Sequence, residues 1–293
     1  MTTTKTLEKL TSNATSLGNF VSGSPEWHEL RNQPGVISGS EIGAILGLSP
    51  FTSPYTLWAQ KTGLLTPDPI GNISMRLGQL VEPAIYQLFC EQHPEYEVFQ
   101  VGTYAHKDYS WAHANPDGLG VDDKGEAFIL EIKHTATFWD SVPEHYRAQV
   151  LWYMWVFDIK KAVFAVVNAG RYKEYEVLFD EFEFAAILDK VTRFKKLIET
   201  ATAPDWDGSD STFETVRALS PDIEDTKTEL GELGLSLISA VNKVKQAETE
   251  LTELKSRVLS ALNGSKYGTL EDVVIVTLSQ RGAGKPYLTI KDK

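Results

Sequence analysis

The run Ala127–Lys133, AFILEIK, constrains this chain more than any other stretch, because four apolar residues lead straight into Glu131-Ile132-Lys133. A short apolar run of this kind reads as a central, buried strand. Period-two alternation then sets Glu131 and Lys133 on one face. Unpaired buried charges cost on the order of several kcal/mol, so the charged end is expected to emerge from the sheet into a site. Asp117 follows Pro116 in a turn shortly before the strand. Two carboxylates can hold one or two Mg²⁺ ions, hard cations that take oxygen ligands, with the backbone carbonyl of Ile132 between them as a further ligand. Such an ion polarises a phosphoryl oxygen and helps deprotonate water. Lys133 would orient that water and offset transition-state charge, which makes this phosphodiester-hydrolysis chemistry. By itself the Asp-x13-Glu-x-Lys spacing is a weak pattern, and a solvent-facing strand with a structural Lys–Glu contact also satisfies it.

The rest of the composition narrows the setting. The chain has 293 residues, 42% hydrophobic and 23% charged, with seven Trp and thirteen Phe, which is globular rather than disordered composition. Cys90 is the only cysteine, which excludes an internal disulfide and a cysteine zinc site and suits a reducing cytosol. The N-terminal MTTTKTLEKLTSNATSLGNF lacks a signal-peptide core, and no run approaches the roughly 18 apolar residues of a membrane span, so a soluble, untargeted protein is expected. The formal charge of −12 falls entirely in residues 1–216, with 17 basic against 29 acidic residues, while 217–293 balance at 11 against 11. This argues against a generic nucleic-acid coat but permits a DNA enzyme whose channel is locally positive or carries metal.

Along the chain, residues 1–24, rich in Ser and Thr, read as a mobile arm. A short helix from Pro25, a turn at Pro34-Gly35, a helix opened by Ser38 or Ser40 and another from Pro54 follow. Residues 74–93 carry a helical apolar period that includes Glu82. Strands are expected at 98–104, 112–115, 127–132, 161–168 and 172–178, with helices at 144–157 and 181–200. The fold class is therefore α/β, a mixed central sheet flanked by helices. The acidic stretch APDWDGSDSTFE reads as a linker or surface excursion, and a boundary is placed near 216. Beyond it, Leu233, Leu237, Ala240, Val244, Ala247, Leu251, Leu254, Val258 and Ala261 alternate at steps of four and three, a heptad stripe on a helix from about 226 to 262. That helix could pack on its own domain, in an antiparallel hairpin or in a coiled coil between subunits. The closing segment reads as two strands joined by a Gly-rich turn.

Several segments then agree in order: WHELR at 27–31, VISGSEIGAILGLSP at 36–50, SPYTLWAQKTG at 53–63, GQLVEP at 78–83, ANPDG at 114–118, LEIK at 130–133 and YRAQVLWYMWVF at 146–157. Together they resemble the YqaJ-like phage recombinase nucleases of the lambda exonuclease-like PD-(D/E)xK superfamily, over about residues 25–200. The resemblance implies a restriction-endonuclease-like domain over 25–216, with 217–293 as a C-terminal helix and β-hairpin extension. Motif by motif, it implies that Asp117 and Glu131 bind metal, that Lys133 is the catalytic lysine, that Glu82 completes the metal and water environment, and that Gln149 lies beside the site. Arg31 and Ser40 resemble residues that hold a terminal 5′-phosphate, which a guanidinium fork and a helix-start hydroxyl suit.

The activity implied is Mg²⁺-dependent 5′ to 3′ digestion of one strand of linear duplex DNA, Mn²⁺ substituting. The 3′ tails would pass to a single-strand annealing protein, the enzyme forming a homo-oligomeric ring in the cytoplasm of a phage's bacterial host. A scaffold with an unused site and a structure-specific endonuclease are the alternatives. His106, His113, His134 and His145 lack helical ligand spacing and read as structural. GAGK at 282–285 reads as a turn rather than a phosphate loop. Trp152, Met154, Trp155 and Phe157 read as core, while Met75 and Leu77 could wedge apart an end base pair. The loop after the Ser40 helix lacks the basic residues this resemblance leads one to expect, which leaves the groove contacts unassigned.

Overall fold

The computed structural model describes residues 2–20, 23–33, 35–66 and 73–291, so Pro34 of the expected turn lies outside the described residues. Two compact units are present, residues 1–221 and 222–293.

The first unit opens with α1 (Thr2–Leu10) and β1 (Ala14–Gly18), followed by α2 (Pro25–Arg31), β2 (Ile37–Ser38), a 3-10 turn at Gly39–Glu41, α3 (Ile42–Ile45), α4 (Pro54–Lys61) and α5 (Ile73–Gln92). Strands β3 (Glu97–Phe99), β4 (Thr103–His106), β5 (Ala112–Ala114), β6 (Gly118–Val121) and β7 (Ala127–Thr135) come next. Then follow α6 (Glu144–Phe157), β8 (Lys161–Asn168), β9 (Arg171–Leu178), α7 (Glu181–Glu199) and α8 (Asp210–Ala218). A five-stranded mixed sheet has the order β3-β6-β7-β8-β9, in which only β7 and β8 run parallel, joined by the α6 crossover. β7 is thus central, as its apolar run demands. One face, with Phe128, Leu130 and Ile132, packs on Ile85 and Phe89 of α5. The other, with Ile129, joins the main core around α6. That helix buries Val150, Leu151, Trp152, Met154 and Val156 around its whole circumference, which makes it an internal pillar rather than a surface helix.

A smaller sheet, β1-β4-β5-β2, carries the decisive register. β2 runs parallel to β5, with Ile37 opposite Ala112 and Ser38 opposite His113. The segments that leave the two strands, 39–41 and 115–117, therefore start side by side.

Three expectations need correction. The arm expected over 1–24 is, where described, α1 followed by an edge strand paired antiparallel to β4. Leu10 is buried and Leu7 packs on the same core, so two leucines at i and i+3 suffice to seat the helix. The acidic stretch read as a linker or surface excursion runs into α8, whose Ser209 caps the Thr212 amide. The hydroxyls of Thr212 and Ser211 meet those of Ser53 and Thr56, so α8 seats on α4 and the boundary falls after 221 rather than near 216. The strand expected over 98–104 is two, β3 and β4, in different sheets.

In the second unit, α9 (Glu232–Leu262) leads to β10 (Tyr267–Leu270), β11 (Val273–Ser279) and β12 (Tyr287–Ile290). The expected hairpin is β11–β12, and β10 adds a third antiparallel strand. GAGK falls between β11 and β12, as a turn would. Among the described residues no helix is long and apolar enough to cross a membrane.

Candidate active site

At the middle of β7, Glu131 points into the α6 side of the sheet and is almost wholly buried, 2% exposed, so the charged pair does not end the strand as expected: the ladder with β8 runs on to Thr135. Its Oε1 accepts from Lys133 Nζ at 2.6 Å and from Gln149 Nε2 at 2.7 Å, while its Oε2 is buried without a partner among the described residues. Gln149 Nε2 also reaches the Tyr153 hydroxyl at 3.0 Å. The spacing of Gln149 and Tyr153, one helical turn apart on α6, makes that pairing local. Lys133 Nζ in turn lies 4.8 Å from the centre of the Tyr146 ring, a cation–π contact.

Asp117 reaches the same strand from the β5–β6 connection, its Oδ2 accepting the Ile132 amide at 2.6 Å. β6 has left the ladder by then, since its last partner is Leu130 opposite Gly118. Because a strand residue's N–H and C=O point to the same edge, the Ile132 carbonyl faces the side where Asp117 sits. Burial, reinforced by the Glu131 and Glu82 charges, pushes the Asp117 carboxyl well above the ordinary range against the pull of Lys133 and the Ile132 amide. Glu82 of α5 is raised too, by burial and then by Glu131. Burial works against the Lys133 ammonium, but Glu131 and Asp117 outweigh it and hold the lysine protonated beyond its usual range. Without metal, Lys133 is therefore held as a cation and donates a hydrogen bond to Glu131.

The donor set fits a hard divalent cation: oxygens only, mutually repelling carboxylates, and one buried carboxylate oxygen left unpartnered. Among the described residues no three Asp, Glu, His or Cys side chains gather as a metal-holding group. The residues that could hold such a cation are Asp117, Glu131, the Ile132 carbonyl and Glu82, the last coupled electrostatically to both carboxylates.

A second charged cluster adjoins the first. Glu41, 4% exposed, accepts from Arg31 Nε at 3.1 Å, Lys61 Nζ at 2.9 Å and the Ser38 amide at 2.9 Å. Lys61 Nζ also donates to the carbonyls of Arg31 and Val36 at 2.7 and 3.0 Å. Burial opposes ionisation of Glu41, yet Lys61, Arg31 and the Ser38 amide win and hold its carboxyl below the ordinary range. Arg31 also stacks over Trp27 at 4.9 Å, and the Ser38 and Ser40 hydroxyls lie 3.3 Å apart. Gly39 joins the clusters, because a Cβ there would come within 2.2 Å of the Tyr153 ring.

The structure thus brings Asp117, Glu131, Lys133 and Gln149 together by hydrogen bonds, Glu82 by charge alone, and Arg31 and Ser40 into the neighbouring network. Sequence reasoning missed Glu41, Lys61, Tyr146 and Tyr153. Glu41 was discoverable, since Ser38-x-x-Glu41 has the spacing of a helix-start capping box. Lys61 was not, because a lysine ending a helix usually faces water. None of the four histidines gathers with other ligands, and His106 and His113 are buried, in line with structural roles. Met75 and Leu77 are exposed on α5.

The first unit is thus a mixed sheet flanked by helices, with acidic residues and a lysine gathered on its central strand, and known proteins resemble it. Residues 26–160 match the family model of the YqaJ-like viral recombinase domain. The uncharacterized protein YqaJ of Bacillus subtilis (strain 168) is 28% identical over 202 residues, 65% of this chain and 62% of that protein. The chain thus spans less than two thirds of the curated relative. In fold it resembles an alkaline exonuclease, LHK-Exo, from Laribacter hongkongensis, at 19% identity and a TM-score of 0.50 over 67% of this chain and all of that one. The same exonuclease in complex with dAMP matches at 19% identity and a TM-score of 0.50, over 61% of this chain and 94% of that one.

Proposed function

We propose that the first unit is a metal-dependent 5′ to 3′ exonuclease acting on ends of linear duplex DNA. The observation that carries this is the Glu131 carboxylate, clamped on one oxygen by Lys133 and Gln149 and left open on the other beside Asp117. Asp117, Glu131 and the Ile132 carbonyl would hold Mg²⁺, with Mn²⁺ able to replace it, and such an ion would polarise the phosphoryl group and lower the pKa of water. Lys133, protonated, directs the attacking water and offsets charge on the phosphoryl oxygens. Gln149 fixes the Glu131 rotamer, and Glu82 adds negative potential at the rim.

Water adds to phosphorus, the P–O3′ bond breaks, and the departing 3′ oxygen takes a proton. The first nucleotide leaves as a 5′-monophosphate, and the next nucleotide retains the attacked phosphate as a new 5′ terminus. Arg31 and Ser40 would hold that terminal phosphate, with the guanidinium aimed by Glu41. Each turnover thus regenerates the group that anchors the next. The 3′ single strand would suit an annealing protein as partner, and self-assembly around the duplex would make digestion processive. The action on DNA in an infected or lysogenic bacterial cytoplasm follows from the same reading.

The test is incubation with Mg²⁺ of linear duplexes bearing a 5′-phosphate or a 5′-hydroxyl, beside a covalently closed circle. Mononucleotides released from the phosphorylated linear duplex, and suppressed by a chelator, are expected. Cleavage of the circle would instead indicate an endonuclease, and no cleavage by folded, metal-loaded protein would indicate a binding module.

A further inference from the structure

We propose that α9 pairs, parallel and in register, with α9 of a second copy of this chain. The inference rests on the second unit alone and not on the nuclease reading. α9 is a single helix of 31 residues, about 46 Å long. Only its C-terminal end is seated within its own unit, where Leu262 is buried and lies against Gly268 of β10. Within its own unit the heptad stripe upstream is uncovered: Leu233, Leu237, Val244, Leu251 and Leu254 are 69, 60, 58, 45 and 54% exposed. Helical stability in proteins comes chiefly from packing an apolar face, and a stripe this long without cover calls for a partner helix.

The flanking charges say which partner. With Leu237, Val244, Leu251 and Val258 at the a positions, Leu233, Ala240, Ala247, Leu254 and Ala261 occupy d. The g positions then hold Lys243, Glu250 and Arg257, and the e positions five residues on hold Glu248, Lys255 and Leu262. In a parallel, in-register pair each g residue faces the e residue of the next heptad on the other helix. Lys243 meets Glu248 of the second copy and Glu250 meets Lys255, and two-fold symmetry repeats both contacts. In an antiparallel pair g faces g and e faces e: the register that keeps the whole stripe covered leaves Lys243 with Glu250 as its complementary pairing, and the shifted register that pairs Glu248 with Lys255 and Glu250 with Arg257 leaves Leu233, Leu237 and Ala240 bare. Among the described residues the ion pair within α9 is Arg257 with Glu253, so Lys243, Glu248, Glu250 and Lys255 are uncommitted to ion pairs in the isolated chain. Valine at two a positions favours two strands.

The experiment uses the full chain with Cys90→Ser and Ala240→Cys, which places one thiol at a d position well away from the helix midpoint. Mild oxidation is expected to give a disulfide-linked dimer, because only parallel pairing sets residue 240 opposite itself. Lys243→Glu, added to this background, sets like charges against each other and should weaken self-association roughly tenfold. Adding Glu248→Lys should restore it, with circular dichroism confirming unchanged helix content. Absence of the cross-link, cross-linking of 240 only to a thiol introduced at 251 or 258, or indifference to the charge reversal would each overturn the proposal. The cross-link reports on α9 even where the first unit associates by itself.

Discussion

Two clusters of buried charge lie side by side in the first unit, and they are built on opposite rules. Around Glu41 the charges close on themselves: one carboxylate takes two cations and a backbone amide, and its ionised form is favoured. Around Glu131 they do not close: Asp117, Glu131 and Glu82 repel one another, one cation serves them, and a carboxylate oxygen stays bare. A buried pair that is fully satisfied positions its members, here the Arg31 guanidinium. A buried group that is left unsatisfied in a native fold is stored cost, and a cation from outside is what would relieve it.

Four changes would break or sharpen that contrast. Lys133→Ala should lower cleavage by about three orders of magnitude or more while circular dichroism and DNA binding stay intact, since it removes a charge that acts in the transition state. Retained cleavage would remove Lys133 from the reaction. Glu41→Gln leaves Lys61 and Arg31 buried without their counter-charge, so it should cost about 3–5 kcal/mol in urea unfolding. It should also erode the preference for a 5′-phosphate over a 5′-hydroxyl end.

Asp117→Asn should do the reverse to stability. In the metal-free protein the unfolded Asp117 loses its proton near pH 3.9 and the folded one only at higher pH. The native state binds more protons across that window, so wild-type stability falls as pH rises through it, and this decline should be shallower in Asp117→Asn. A thermal melt at neutral pH without metal should therefore favour the variant by a few degrees, whereas Mg²⁺ should raise the wild-type midpoint and not the variant's. Smallest is Tyr153→Phe, which removes a single hydrogen bond to Gln149, about 1 kcal/mol, and should cut the catalytic rate modestly without changing substrate affinity.

Much of this was legible in the sequence where one physical signal dominated. AFILEIK announced both a central strand and its functional residues, and the apolar run VLWYMWVF announced a buried helix. β6 was not legible, because GLGV reads as a turn. Gly120 is nonetheless required, since a Cβ there would sit 2.3 Å from the Phe128 ring packed across it. α8 hid in an acidic stretch because hydroxyl contacts to α4, rather than an apolar stripe, hold it. Of the site, residue types and spacing revealed the open carboxylates and their lysine. The Arg31–Glu41–Lys61 closure depends on β2 pairing with β5 and on a lysine turned inward, neither of which leaves a local mark.

The enzyme proposed here holds its cation in the open cluster around Glu131. Crystals of the protein soaked in Mn²⁺, with data collected at the manganese absorption edge, would show it directly. An anomalous peak bounded by Asp117, the free oxygen of Glu131 and the Ile132 carbonyl is the predicted result. No peak there at saturating Mn²⁺, or a peak seated instead among Glu41 and its cations, would contradict it.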